Sequence, residues 1–230
     1  MSSSAPERIA AYFGAESSIE TLGQNFNVAP TNDIYGIVGQ ADEAPELQVF
    51  HWGLIPVWAK ERKIGQRMIN ARSETLAEKN AFKGVFKKHR CIIPMDGFYE
   101  WKPGVEGGPV NAKGRPLKQP MFIHRVDNQL LTVAGLWTAW KDPEDPDGRW
   151  LHSTTIITTA ANKTMQSVHD RMPAVLIPDH WTSWLDPAND DLASLESLLD
   201  GGPPELLTMQ AVSTEVNNVR NNRADLLDPV

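Results

Sequence analysis

Between Arg90 and Thr159 the chain presents one strand-type run after another, which confines it to folds built around a sheet. Arg90–Pro94 and Gly97–Trp101 read as one strand kinked at Met95-Asp96. Met121–Val126 and Leu130–Trp137 flank Asp127-Asn128-Gln129, a hairpin signal. Leu151–Thr159 is rich in β-branched residues, which suit a pleated surface. Leu47–Trp52 adds a strand before this block, and a last one runs near Leu207–Val212. Helical signals are short and lie outside it. Ser4, Pro6 and Glu7 open a helix carrying Ile9, Tyr12 and Phe13, with Gly14 as its stop. Thr75–Lys88 predicts a helix with Leu76, Phe82 and Phe86 on its inner side; Asn162–Val168, Trp181–Leu185 and Leu192–Leu199 are briefer patches. Val105–Gln119, rich in Gly, Pro and Lys, predicts a mobile loop. No repeated strand–helix–strand unit occurs. The expected fold is α+β: one domain over residues 1–230, with a mostly antiparallel, barrel-like core and short peripheral helices.

A chain of 230 residues can bury such a core. No apolar run approaches the roughly 20 residues of a membrane-spanning helix, and residues 1–20 lack the basic start and apolar stretch of a secretory signal. The single cysteine, Cys91, excludes an internal disulfide and a cysteine-based metal site, and points to a reducing, cytoplasmic setting. The six histidines are dispersed, and no glycine-rich phosphate loop, GxSxG or HExxH is present, so neither metal nor cofactor is expected. Net charge is −7, which disfavours nucleic acid until its distribution is considered. Ten Lys/Arg and three acids lie between Lys60 and Arg90, a net +7 on an otherwise acidic chain. Such a segment makes either a local phosphate-binding surface or a solvated face.

Four residues invite chemistry. Glu100 lies between aromatics in Phe98-Tyr99-Glu100-Trp101, where partial desolvation suits acid–base work; an outward-facing acid on an alternating strand is the other reading. His169, in His169-Asp170-Arg171-Met172-Pro173, stands at the mouth of the apolar run Ala174–Ile177. There it either shuttles a proton or rests on Asp170 as a loop histidine. Asn70 and Arg72 offer an amide and a guanidinium fork for a carbonyl-like group and a phosphate, or else cap a loop and pair with Glu74. Cys91, within an apolar strand, reads as a packing residue.

Six segments occur in one order: Asn27-Val28-Ala29-Pro30, Trp52–Trp58, Ile69–Thr75, Arg90–Trp101, His169–Pro173 and Val216–Asn221. With them the chain, from about Ala5 to Val230, resembles the SOS response-associated peptidase (SRAP) family of abasic-site processing proteins. The resemblance implies a sensor of abasic sites in single-stranded DNA and at single-strand/double-strand junctions, with self-processing peptidase activity. It also implies a thiazolidine crosslink through an N-terminal cysteine. By motif position Asn70 would orient that cysteine, Glu100 would act as acid/base and His169 would act on the opened sugar. Arg72 would hold a phosphate; Asn27, Pro30, Trp52 and Trp58 would shape the strand groove. The family's Met-Cys-Gly-Arg start and first strand are absent, as Met1 runs into Ser2-Ser3-Ser4. The expectation is a true start upstream; the alternatives are a non-covalent DNA binder that has lost its nucleophile, or an N-terminal serine hydrolase using Ser2. A monomer with no membrane partner, cytoplasmic and at the nucleoid during DNA damage, is expected.

Overall fold

The computed structural model describes residues 1–17, 19, 21–41 and 43–230. In chain order, α1 (Pro6–Phe13) and the two-residue β1 (Glu16–Ser17) precede β2 (Asp33–Val38) and β3 (Glu46–Trp52). A 3-10 turn over Arg62–Arg67 leads to β4 (Asn70–Arg72), and α2 (Lys83–Lys88) leads to β5 (Arg90–Met95) and β6 (Phe98–Lys102). Then follow β7 (Gln119–Arg125), β8 (Leu131–Lys141), β9 (Trp150–Ala160), β10 (Arg171–Pro173), α3 (Pro178–Leu185), α4 (Leu192–Ser197) and β11 (Leu207–Ala211).

Pairing runs β3–β2–β5–β8–β9 and returns to β3, closing a five-stranded barrel. Four of these contacts are antiparallel, while the closure of β9 on β3, at His51–Ser153 and Trp52–Thr154, is parallel. β4 lies parallel and β10 antiparallel to β9. A second, antiparallel sheet has the order β11–β7–β6. The α+β architecture with a barrel core is the one read from the sequence.

The strand period of two assigns the faces. Ile34, Phe50, Cys91, Ile93, Val133 and Ile156 form the inner cluster. The rings of Phe50 and Trp137, on strands that are not neighbours, approach to 5.9 Å across the barrel. Tyr35, Ile37, Ile92, Leu136 and Ile157 face outward and pack with Ile9 of α1, Trp184 of α3 and Leu195 of α4. Both faces are covered, so β5 is buried at every position and reads as an apolar run from Cys91 to Met95. The interior is narrow enough to require glycine twice. A Cβ on Gly36 would lie 2.8 Å from the Phe50 ring, and one on Gly135 would lie 2.9 Å from Cys91 Sγ.

Several local expectations change. Asp127-Asn128-Gln129 does not close a hairpin: it carries the chain from β7 in the second sheet to β8 in the barrel. Arg90–Trp101 is two strands in different sheets, with Asp96-Gly97 as the crossing. Thr75–Lys88 is helical only from Lys83, although Leu76, Phe82 and Phe86 are buried as expected. Asn162–Val168 holds only a 3-10 turn, Met165–Ser167. Ser4 does not cap α1; its hydroxyl donates to Asp96 Oδ1 at 2.6 Å and Ala5 takes the N-cap position. Val105–Gln119 is folded as a hairpin arm, with Asn111 N–H donating to Arg115 O and Leu117 N–H to Pro109 O, both at 2.8 Å. Arg90, counted in the basic surface, is 3% exposed and donates to the carbonyls of Phe86, Lys87, Trp184, Asp186 and Asn189, closing the ends of α2 and α3.

Candidate active site

Where β2 begins and β3 and β5 finish, the barrel opens into a cleft of about 550 Å³. Its floor is apolar because it is the end of the barrel interior: Ile34, Ile93 and Ile156 line it. The walls carry the polar groups. Asn70 of β4 stands beside Ile156 of β9, β6 contributes Glu100 and Trp101, and the segment before β10 contributes His169. Asn70, Glu100 and His169, far apart in sequence, therefore meet around one space.

Glu100 Oε1 lies 3.9 Å from His169 Nε2, with the two side chains 29% and 44% exposed. That separation is too long for a hydrogen bond and suits one intervening atom. The backbone N–H of Arg171 donates to His169 Nδ1 at 2.9 Å. Asp170 Oδ1 also lies 3.1 Å from that nitrogen, but its side chain is 89% exposed. The fixed direction of the backbone donor decides: in neutral His169, Nδ1 accepts and Nε2 carries the proton, aimed at Glu100.

The remaining sequence candidates divide. Asn27 lines the cleft, yet it is 8% exposed and its amide donates to Val216 O at 3.0 Å and Asn218 O at 3.2 Å. These bonds hold the tail whose Val216, Asn217 and Val219 line the cleft. Pro30 and Trp52 line the cleft, and Trp52 Nε1 is fixed on Ile69 O at 3.0 Å. Arg72 follows Asn70 by two residues on the same face of β4, exposed outside the cleft lining. Glu74 pairs with Arg171, not with Arg72. Trp58 is 59% exposed and does not line the cleft. Cys91 lies in the barrel interior, where burial pushes its thiol up to about 12.

Sequence reasoning missed three groups. Arg171 lines the cleft and is held by two bonds to Glu74 and one of 2.7 Å to Thr158 O. Its sequence signal is its place two residues after His169, in the same motif. Asp96 accepts from Ser3 N–H at 2.7 Å, Ser4 N–H at 3.2 Å and both hydroxyls, which seats residues 1–4 along the β5–β6 turn. Met1 and Ser2 consequently line the cleft, and the Met1 amine donates to Gly97 O at 2.9 Å. Burial lowers that amine to about 6. Ser2 pairs through its backbone with Asn25, and among the described residues no hydrogen bond joins its hydroxyl to Glu100 or His169. Among the same residues no cluster of three His, Cys, Asp or Glu could hold a metal ion, and no helix is long and apolar enough to cross a membrane.

Residues 1–219 match the family model described as SOS response associated peptidase (SRAP). The chain is 41% identical over 204 residues to the abasic site processing protein YoqW of Bacillus subtilis, covering 89% of this chain and 85% of that one. It is 37% identical over 198 residues to the abasic site processing protein HMCES of Xenopus tropicalis, covering 79% of this chain and 56% of that one. A crystal structure of a protein from Bacteroides thetaiotaomicron superimposes with a TM-score of 0.83 at 27% identity, covering 99% and 97% of the two chains.

Proposed function

Because this chain belongs to the SOS response-associated peptidase family, we propose that it processes abasic sites in DNA, with the lesion sugar seated between Glu100 and His169. The observation that carries the reading is the convergence of Asn70, Glu100 and His169 on one cleft that also receives residues 1 and 2. An abasic sugar lacks a base to stack. It exposes a small, partly apolar ring in equilibrium with an aldehyde, and the cleft matches it with an apolar floor and polar walls.

In the covalent version of the reaction, an amine adds to the aldehyde carbon and water leaves as the imine forms. A thiol on the same residue then adds across the C=N bond and closes a thiazolidine. Glu100 and the Nε2–H of His169 supply the proton transfers: His169 at the sugar's ring oxygen, Glu100 at the amine and the departing water. Asn70 orients the attacking residue from β4. Arg72, on the adjoining position of that face, takes a flanking phosphate. The only thiol, Cys91, is walled into the barrel and does not take part. The same proton transfers at a peptide carbonyl would serve self-processing of a segment before the attacking residue. Residues 1–230 act as one unit on single-stranded DNA and at junctions, as a monomer inside the cell.

The test is incubation with an oligonucleotide carrying one abasic site, followed by a denaturing gel. The 230-residue chain is expected to give no heat-stable adduct and a weak one after borohydride reduction. The same chain carrying a Met-Cys-Gly-Arg extension in register is expected to give a stable adduct. A heat-stable adduct from the unextended chain would show that Cys91 or a lysine is the nucleophile. No adduct from either chain, with binding to single strands retained, would favour the non-covalent reading.

A further inference from the structure

Two residues beyond Glu100, the chain leaves the rim of the cleft as an arm. β6 ends at Lys102, and residues 103–118 fold out before β7 begins at Gln119. The base is closed by contact: a Cβ on Gly104 would lie 2.3 Å from Leu117 O. Higher up, Val110 bridges Pro116. At the tip the Asn111 carboxamide accepts from Lys113 N–H at 2.9 Å and Arg115 N–H at 3.1 Å, across Gly114 at φ +70°. The backbone under Lys113 and Arg115 is therefore set in advance. Lys102, Lys113, Arg115 and Lys118 are exposed, and among the described residues none of them has an ion-pair partner. Glu106 is the one acid in the arm, on a chain whose net charge is −7.

We propose that this arm is a backbone clamp for the DNA strand leaving the cleft, with Lys113 and Arg115 at its tip neutralising phosphates several nucleotides from the lesion. The proposal rests on the reading of the cleft as a DNA site. Charge complementarity selects the occupant: a polyanion is steered away from an acidic surface and toward its local basic elements. Position selects the segment of that polyanion, since the arm grows from the strand that carries Glu100. The nine residues from Pro103 to Asn111 reach at most about 30 Å when extended. Allowing for the turn at Glu106-Gly107, the tip stands about three nucleotides of extended single strand from the cleft, because an unstacked strand spans well over the roughly 3.4 Å per nucleotide of a duplex. Exposed Val105, Val110 and Leu117 give the arm an apolar edge for sugars between phosphates.

The test compares the full chain with K113S/R115S, two exposed substitutions, by fluorescence anisotropy over a salt series. The probes are single-stranded oligothymidylates of about 3 and about 25 nucleotides. Each lost phosphate contact lowers the slope of log K against log salt by about 0.7 on single strands. On the long probe the variant's slope is expected to be shallower by about 1.4, with affinity down about 25-fold near 0.1 M salt. On the short probe, which stays within the cleft, the two proteins should match. An unchanged slope on the long probe, with the wild type binding it, overturns the arm assignment alone. Equal losses on both probes overturn it too, because the substitutions would then be acting on the cleft. Failure of the wild type to bind either probe overturns the DNA reading and the arm with it.

Discussion

Glu100 and His169 face each other across 3.9 Å, with the imidazole tautomer set by the Arg171 backbone, and the tasks proposed for them can be tested separately. Glu100→Gln preserves shape and removes a proton acceptor. In a chain given an N-terminal cysteine it is expected to slow covalent capture by about 10²–10⁴-fold while leaving affinity for intact single strands unchanged. A capture rate equal to wild type would remove Glu100 from the chemistry. His169→Ala is expected to slow capture on the cyclic sugar, with most of the rate restored on a substrate presented as the open aldehyde. Equal deficits on both would mean that ring opening is not its task. Asn70, Glu100 and His169 were legible because each sits in a motif with a chemical reason for its type. Trp58, which the family resemblance assigns to the strand groove, is exposed and lies outside the cleft lining.

Among the elements, β4 and β10 both line the cleft and are tied together beside it. Arg171 of β10 reaches Glu74, just past β4, with two guanidinium bonds and holds the Glu74 carboxyl down at about 2. A carboxyl lowered by folding stabilises the native state above its unfolded value, 4.5, and that contribution is lost as pH falls toward about 2. Glu74→Gln is therefore expected to destabilise the protein by about 1 kcal/mol at neutral pH, a small figure because Glu74 is half exposed. The difference from wild type should close between pH 5 and pH 2. Thermal melts across that interval check it, and a gap that persists at pH 2 would assign the effect to packing. The sequence suggested Glu74 and Arg72 as partners because they are close in the chain. Arg171 wins because β4 and β10 both pair with β9, at Arg72–Thr158 and Pro173–Thr158, which brings residues 74 and 171 together.

At the scale of the whole molecule, barrel closure sets the tolerance of the core. Gly135 faces Cys91 across the β5–β8 register, and a methyl group there would meet Cys91 Sγ at 2.9 Å, Ile93 Cγ1 at 3.0 Å and Thr155 O at 3.2 Å. Two of those neighbours belong to buried side chains and the third is backbone. Gly135→Ala is expected to cost about 1–3 kcal/mol, or roughly 2–4 °C in Tm for each kcal/mol at this size. A melt unchanged within a degree would show that the interior relaxes more easily than its packing implies.

The amino-acid order by itself determined most of the longer strands, that helices are few and short, and that no thiol but Cys91 is present, and it singled out Asn70, Glu100 and His169. These follow from side-chain periodicity and residue chemistry, which are local. Pairing and closure are not. Leu130–Trp137 looks like the return arm of a hairpin because its turn residues fix a chain reversal but not a partner; β8 instead joins β5 and β9, where Val133, Ala134 and Leu136 are buried on both faces. Strand β2 is hard to read from the sequence because Gly36 weakens the strand signal, and a Cβ at Gly36 would meet the Phe50 ring. The cleft itself belongs to this second kind of information. It exists because five strands close into a tube whose open end gathers residues 70, 100 and 169, and contacts between distant parts of a chain are settled only when the whole core packs.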